Sequence, residues 1–119
     1  RPYFTFSNSF PDFATRDVFH PLFKKHSVPL VLTGHNHCYE HFEADGVHYV
    51  VEGGGGAILY WPNDNRDEVL AKRPGDEKLR KSFEKTHGAL FATVQSDGTI
   101  DIERESLSGE TTDSFTVGA

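Results

Sequence analysis

The 119-residue chain predicts an α/β fold, layered from a helix and a set of strands. Three observations predict it: apolar residues at helical spacing between residues 15 and 26, a continuous apolar run directly after them, and two later stretches that alternate around Asp-Gly turns. A helix feeding an apolar strand is the usual join of α/β layers, and alternation around a tight turn is the mark of a hairpin. The expected architecture is a mixed or antiparallel sheet backed by the helix.

The first dozen residues read as irregular, with Pro2, Asn8, Pro11 and Asp12 as breakers. A helix is predicted from Thr15 to His26, capped by Thr15 and favoured by Asp17 at its positive end. Val18, Phe19, Leu22 and Phe23 form its buried stripe, and Lys24, Lys25 and His26 suit its negative end. Pro21 is tolerated near the first turn. Residues Val28 to Thr33 predict a strand buried on both faces, stopping at Gly34-His35-Asn36-His37. Asp45-Gly46 predicts a two-residue hairpin loop pairing Ala44 with Val47, Glu43 with His48, Phe42 with Tyr49 and His41 with Val50. One face then carries Phe42, Ala44, Val47, Tyr49 and Val51, and the other, polar face is left half-exposed.

Gly53-Gly54-Gly55-Gly56 ends that strand. Trp61 to Glu84 reads as a polar insertion with a short helix near Asp76 to Phe83. Its Lys and Arg residues from Lys72 to Lys85 are interleaved with acids, as on a solvated helix face. A second hairpin follows. A three-residue loop with Gly98 left-handed aligns Val94 with Ile100, whereas a two-residue loop would put the apolar sets on opposite faces. A last strand, Ser114 to Val117, follows a turn at Ser108-Gly109.

Composition narrows the function. Hydrophobic residues make up 36% of the chain, and ten Phe, four Tyr and one Trp supply much of the area a core can bury. The net charge is −6, with no basic stripe, which argues against nucleic acid as a partner. No run of ~18 apolar residues is present, so no membrane-spanning helix is expected. Cys38 stands alone, so no intrachain disulfide forms, and it reads as a small buried residue.

The sharpest chemical feature is the turn at Gly34-His35-Asn36-His37. Open α/β sheets place ligand sites just past the carboxyl ends of strands. Gly34 permits a tight turn there, and two imidazoles one residue apart can face one cavity as metal ligands. The bland reading is two partly exposed histidines in a turn. His20, His26 and His87 read as helix-surface or strand-edge residues, and His48 as the cross-strand partner of Glu43.

From Arg16 to Tyr60 the chain resembles the calcineurin-like metallophosphoesterases, in their purple-acid-phosphatase-like branch. The residues that carry the resemblance are Pro21-Leu22-Phe23-Lys24-Lys25, then Val28 to His37, Tyr39-Glu40, and Gly53-Gly54-Gly55-Gly56-Ala57. The resemblance implies the C-terminal part of a calcineurin-like β-sandwich flanked by helices, with residues 1–119 as one portion of a single metallophosphoesterase domain. It implies hydrolysis of phosphate esters by two metal ions drawn from Fe, Mn or Zn. It makes His35 a ligand of one metal and His37 of the other, with Gly34 and Gly53 to Gly56 shaping the pocket by their backbone. Asn36 takes the motif's variable place and is given no chemistry. Arg1-Pro2-Tyr3 looks like the tail of a His-x-Pro segment whose histidine precedes Arg1.

Two departures matter. His41 stands where the family often has Arg, and the register puts it on the polar face with a rim role. The family's Asp-x-His, Gly-Asp-x-x-Asp and Gly-Asn-His motifs are absent from these residues. A catalytic zinc-type site needs three protein ligands and two metals need more even with sharing, and nothing in the spacing of Asp12, Asp17 or Glu40 recruits them. The resemblance therefore implies an upstream half of the same protein as partner, and little activity in residues 1–119 alone. Two other readings stand beside it: a non-catalytic β-rich binding or structural module that keeps the fold, and a stand-alone metal-binding module.

Overall fold

The computed structural model describes residues 1–118. Helix α1 spans Phe13–Lys25 and strand β1 Leu30–Thr33. The hairpin is β2 (Tyr39–Ala44) and β3 (Val47–Glu52). Helix α2 (Arg66–Lys72) and a 3₁₀ turn (Pro74–Lys78) precede β4 (Arg80–Glu84). Strands β5 (Gly88–Val94), β6 (Ile100–Ser106) and β7 (Thr111–Val117) close the chain. They form a four-stranded sheet, β1-β3-β2-β4, and an antiparallel three-stranded sheet, β5-β6-β7. The fold is thus mixed α/β, as expected. Strand β1 runs parallel to β3 and every other pairing is antiparallel. No helix among the described residues is long and apolar enough to cross a membrane.

Turn chemistry settled both hairpins. The Asp45-Gly46 loop gives the expected register, Ala44 to Val47 through His41 to Val50. Both loop residues have positive φ, 52° and 80°, as that turn requires. In the second hairpin Val94 faces Ile100 and Gly98 sits at φ 89°. The last strand begins at Thr111, earlier than expected, after a turn with Gly109 at φ 83°.

One core lies between the hairpin and the helical side. Phe4, Phe6, Phe42, Ala44, Val47, Tyr49 and Val69 form it, and Phe23, Val31 and Leu79 pack around it. The first dozen residues are irregular as predicted, yet Phe4 and Phe6 thread through this core, with Phe4 stacked 5.8 Å from Phe42.

Several expectations fail, each for a local reason. Helix α1 starts two residues early because Asp12, not Thr15, is the cap: its carboxylate accepts the Thr15 N–H at 3.1 Å. Pro21 lies well inside the helix, on its exposed side. Of the predicted apolar stripe only Phe23 packs against the core. Val18, Phe19 and Leu22 are exposed, and the helix instead meets the protein through Arg16, His20 and Phe23. His20 is no free surface residue, since its ring bonds Tyr49 and Asp45. Strand β1 is an edge strand, so Leu32 is 55% exposed rather than covered on both faces. The stretch 61–84 is not mostly loop, and Arg80–Glu84 is a strand where a helix was expected. Its cations do not form one solvated face. Arg73 pairs with Asp17, and Arg80 reaches the buried Glu40.

The largest correction concerns the polar face of the hairpin. It is buried under the three-stranded sheet. His41 is 5% exposed, so it takes no rim position. Its ring stacks on Phe115 of β7 at 3.9 Å, and its Nε2 lies 2.9 Å from Nδ1 of His48. Asp113 of β7 accepts from the Tyr39 and Ser82 hydroxyls and lies 3.7 Å from the His41 ring. Beside this, Arg104 of β6 is fully buried and donates to Glu52, Thr86 and Glu84. A buried guanidinium needs such partners, and together they clamp the two sheets.

Burial holds the His41 pKa down to about 4, and the His48 ring beside it adds to the effect. Asp113 and Glu43 oppose the shift, and Lys81 reinforces it. Unfolded, His41 binds its proton near pH 6.5. The contribution to stability is therefore complete above about pH 6.5 and is lost as the pH falls toward 4. The melting temperature should fall across that window, and His41→Phe should flatten the fall. An unchanged slope in the variant would rule His41 out as its source.

Candidate functional site

The loop after β1 stands at the carboxyl ends of two parallel strands, β1 and β3, where open sheets hold their ligands. Its sharp bend comes from a residue other than the one expected. His35, not Gly34, has positive φ, 71°. The Asn36 N–H donates to the Gly34 carbonyl at 2.9 Å, closing a three-residue turn around His35. That turn with a positive central φ is the rarer and more strained form, and it needs surroundings that hold it.

Asn36 supplies the hold. Sequence reasoning gave it no role, but its side chain is fully buried. Its Nδ2 donates to Thr5 Oγ1 at 2.8 Å and to the Ser9 carbonyl at 3.0 Å, while its Oδ1 accepts the Ser9 N–H at 3.0 Å. The amide therefore makes three bonds across to the first segment of the chain. The two histidines, on either side of a residue that points inward, are turned to the surface: His35 is exposed and His37 half-buried.

Each ring has a partner on one nitrogen. His37 Nδ1 lies 2.8 Å from the Ile58 carbonyl, which only accepts, so in the neutral ring Nδ1 carries the proton and Nε2 the lone pair. Tyr60 stacks on the same ring at 4.2 Å, and its N–H donates to the His37 carbonyl. His35 Nε2 lies 3.1 Å from Ser9 Oγ, and its Nδ1 has no hydrogen-bond partner among the described residues. Ser9 and Ile58 were not singled out from the sequence. The Ile58 contact is made by a backbone carbonyl and carried no side-chain signal. From the sequence Tyr60 and Trp61 read either as lining a pocket mouth or as packing under the polar insertion; Tyr60 stacks on His37, whereas Trp61 is 61% exposed with Lys85 over its ring.

The glycines divide. A Cβ on Gly53 would lie 2.0 Å from the Asn36 carbonyl oxygen, so its backbone does press against the histidine loop. A Cβ on Gly54 would lie 2.9 Å from the Thr86 carbonyl oxygen, a contact with the connection between β4 and β5 instead. Among the described residues a Cβ on Gly55 or Gly56 would meet nothing within 4 Å, and one on Gly34 would meet only the Glu52 carbonyl at 3.8 Å, an ordinary contact.

Beneath the loop lies Glu40, fully buried. It accepts from the Thr5 hydroxyl, the Phe6 N–H at 3.0 Å and Arg80 at 3.3 Å. Burial raises its pKa, and these three donors oppose the rise. With its oxygens engaged inward, Glu40 supports the site and does not line it. Asp12 is spent on the α1 cap and Asp17 on Arg73. Cys38 is fully buried, and burial with the nearby Glu40 pushes its thiol up to about 12. It is not a nucleophile at neutral pH. Among the described residues no group of three His, Cys, Asp or Glu side chains converges on one point.

No family model matches the chain, and no curated protein matches it. Among solved structures it is similar to GAP50, described as the anchor in the inner membrane complex of Plasmodium, with a TM-score of 0.72 and 16% identity. That match covers 99% of this chain and 34% of the other, so the chain spans about a third of that structure's length. At this identity the likeness is one of fold.

Gly53→Ala should push the histidine loop off Asn36 and cost about 1–3 kcal/mol, whereas Gly56→Ala should stay within about 0.5 kcal/mol. Thermal melting of the two variants checks this. Equal melting temperatures would mean that Gly53 is not pressed against the loop.

Proposed function

We propose that these residues are the C-terminal part of a two-metal phosphoesterase of the calcineurin-like family, in its purple-acid-phosphatase-like branch, with His35 and His37 each ligating one ion. The observation that carries the reading is the His37 ring. An imidazole whose Nδ1–H is tied to a backbone carbonyl, so that the neutral ring offers Nε2, is arranged as metal-binding histidines are. The strained turn at His35, held by a buried amide, supports it, because strain of this kind gathers at functional sites.

The donor set fits part of such a centre. Two imidazoles suit Fe, Mn or Zn, and the remaining ligands come from a segment outside these residues. When bound, the ions would supply Lewis acidity and a strong nucleophile at neutral pH to a phosphate ester. The chain's own task is to present the two rings. Gly53 lets the backbone close behind the loop, Tyr60 fixes the plane of His37, and Ser9 stands against His35.

A second reading is a non-catalytic module that keeps the fold. What favours it is the absence of a third ligand among the described residues, together with a structural neighbour that is described as an anchor. Substitution of the histidines separates the two in the complete protein. His35→Ala and His37→Ala should each lower bound metal and the hydrolysis of p-nitrophenyl phosphate by at least ~10²-fold, since loss of a ligand's outer partner alone costs about 10–100-fold. Folded variants with unaltered metal content would overturn the enzyme reading and leave the module.

A further inference from the structure

The segment that follows the glycine turn has its backbone tied inward while two of its apolar side chains stand in solvent. The Ile58 carbonyl accepts from His37 Nδ1, and the Tyr60 N–H donates to the His37 carbonyl at 2.8 Å. The Trp61 carbonyl accepts from the Ser7 hydroxyl at 2.9 Å, and the Pro62 carbonyl from Arg80 at 2.9 Å. Arg80 is itself held by the buried Glu40. These bonds leave the backbone little freedom, but Ile58 is 83% exposed and Trp61 61%. Apolar side chains scattered singly over a surface carry no meaning, whereas a group of them on a fixed backbone marks an interaction site.

This group stands at the edge that carries the histidine loop. Tyr60 stacks on the His37 ring, and Trp61 is the next residue. Strand β4 delivers its carboxyl end to the same edge, because its last residue, Glu84, pairs with Tyr39, which follows the loop. Lys85 comes directly after and places its Nζ 4.5 Å from the centre of the Trp61 ring. A cation over an aromatic face is attracted to it, so Lys85 covers one face of the indole and steadies its plane. The exposure of the side chain leaves the opposite face open.

We infer that the open face of Trp61 is the platform for the organic group of the substrate, and that this group is a planar aromatic ring; the inference rests on the phosphoesterase reading of His35 and His37. A flat π surface selects a flat π ligand, since stacked rings gain more than their buried area alone supplies. A platform already held in place loses little freedom when the ligand arrives, so more of the contact appears as affinity. Ile58, whose carbonyl meets the His37 ring, adds apolar surface at the other end of the segment. Small-molecule sites are built this way, from apolar and aromatic surface beside a few placed polar groups. An ester of a small polyol would leave the platform uncovered. Trp61 and Ile58 thus set specificity, and Lys85 is a positioning residue that acts through the indole.

The test compares two esters, phenyl phosphate and glycerol phosphate, and two phosphonates that cannot be hydrolysed, phenylphosphonate and methylphosphonate, on the complete protein. Hydrolysis gives the ratio of the two kcat/KM values, and calorimetry gives the ratio of the two phosphonate affinities. Trp61→Ala should lower both ratios about 5–100-fold, the range that loss of one stacked ring produces. Trp61→Phe should restore most of the preference, and Lys85→Gln should lower it by less than Trp61→Ala does. An equal effect on aromatic and aliphatic ligands, or no effect on either, would overturn the platform and leave the phosphoesterase reading standing. Wild-type protein that hydrolyses neither ester but prefers phenylphosphonate through Trp61 would overturn the phosphoesterase reading and keep the platform. Wild-type protein with no preference for phenylphosphonate over methylphosphonate would overturn the platform outright.

Discussion

The β2–β3 hairpin is covered on both faces, and the rest of the structure follows from that constraint. One face packs Phe42 and Tyr49 against Phe4, Phe6 and the helical side. The other packs His41 and His48 against Phe115, with Arg104 reaching Glu52 at the carboxyl end of β3. A strand pair covered twice cannot leave its polar side chains in water. Each must find a partner inside the protein or lose more in desolvation than its packing returns. His41 is paired with His48, Tyr39 with Asp113, Glu40 with Thr5 and Arg80, and Glu52 with Arg104. The alternating pattern of the hairpin thus specifies two different interfaces, one greasy and one hydrogen-bonded.

The same constraint positions the candidate site. Because β3 is central, β1 pairs parallel to it, and both strands deliver their carboxyl ends to one edge. Gly53, at the end of β3, lies against the loop that follows β1. Only between these two ends does the chain hold a left-handed histidine, and it does so through Asn36, whose three bonds reach the first segment of the chain. The two imidazoles are therefore borne by a turn anchored on three elements, which suits groups that must keep a fixed aim.

What was legible in the sequence and what was not divides along physical lines. Asp45-Gly46 and the Gly98 loop are local instructions, since a positive φ is a property of one residue and sets the strand register by itself. The place of the histidine turn was legible for the same reason: an apolar strand that ends in Gly-His-Asn-His announces a turn at a strand end. The role of Asn36 was not, because a buried amide is recognised only by the Thr5 and Ser9 groups that meet it some thirty residues away. Nor was the assignment of the left-handed position to His35 instead of Gly34, since the glycine is permitted that conformation and the closing bond alone decides who adopts it.

Helix α1 marks the boundary most clearly. Its periodicity correctly said helix, and Val18, Phe19 and Leu22 correctly said that one side is apolar. Neither could say what covers that side. The sequence by itself determined the class of fold, the two hairpin registers and the place of the histidine turn, because each depends on backbone preferences within a few residues. Only the tertiary structure decided which apolar faces are buried, where His41 goes and what holds His35 in its turn. Those depend on which distant groups arrive on the other side, and hydrophobic burial, being non-directional, does not name its partner.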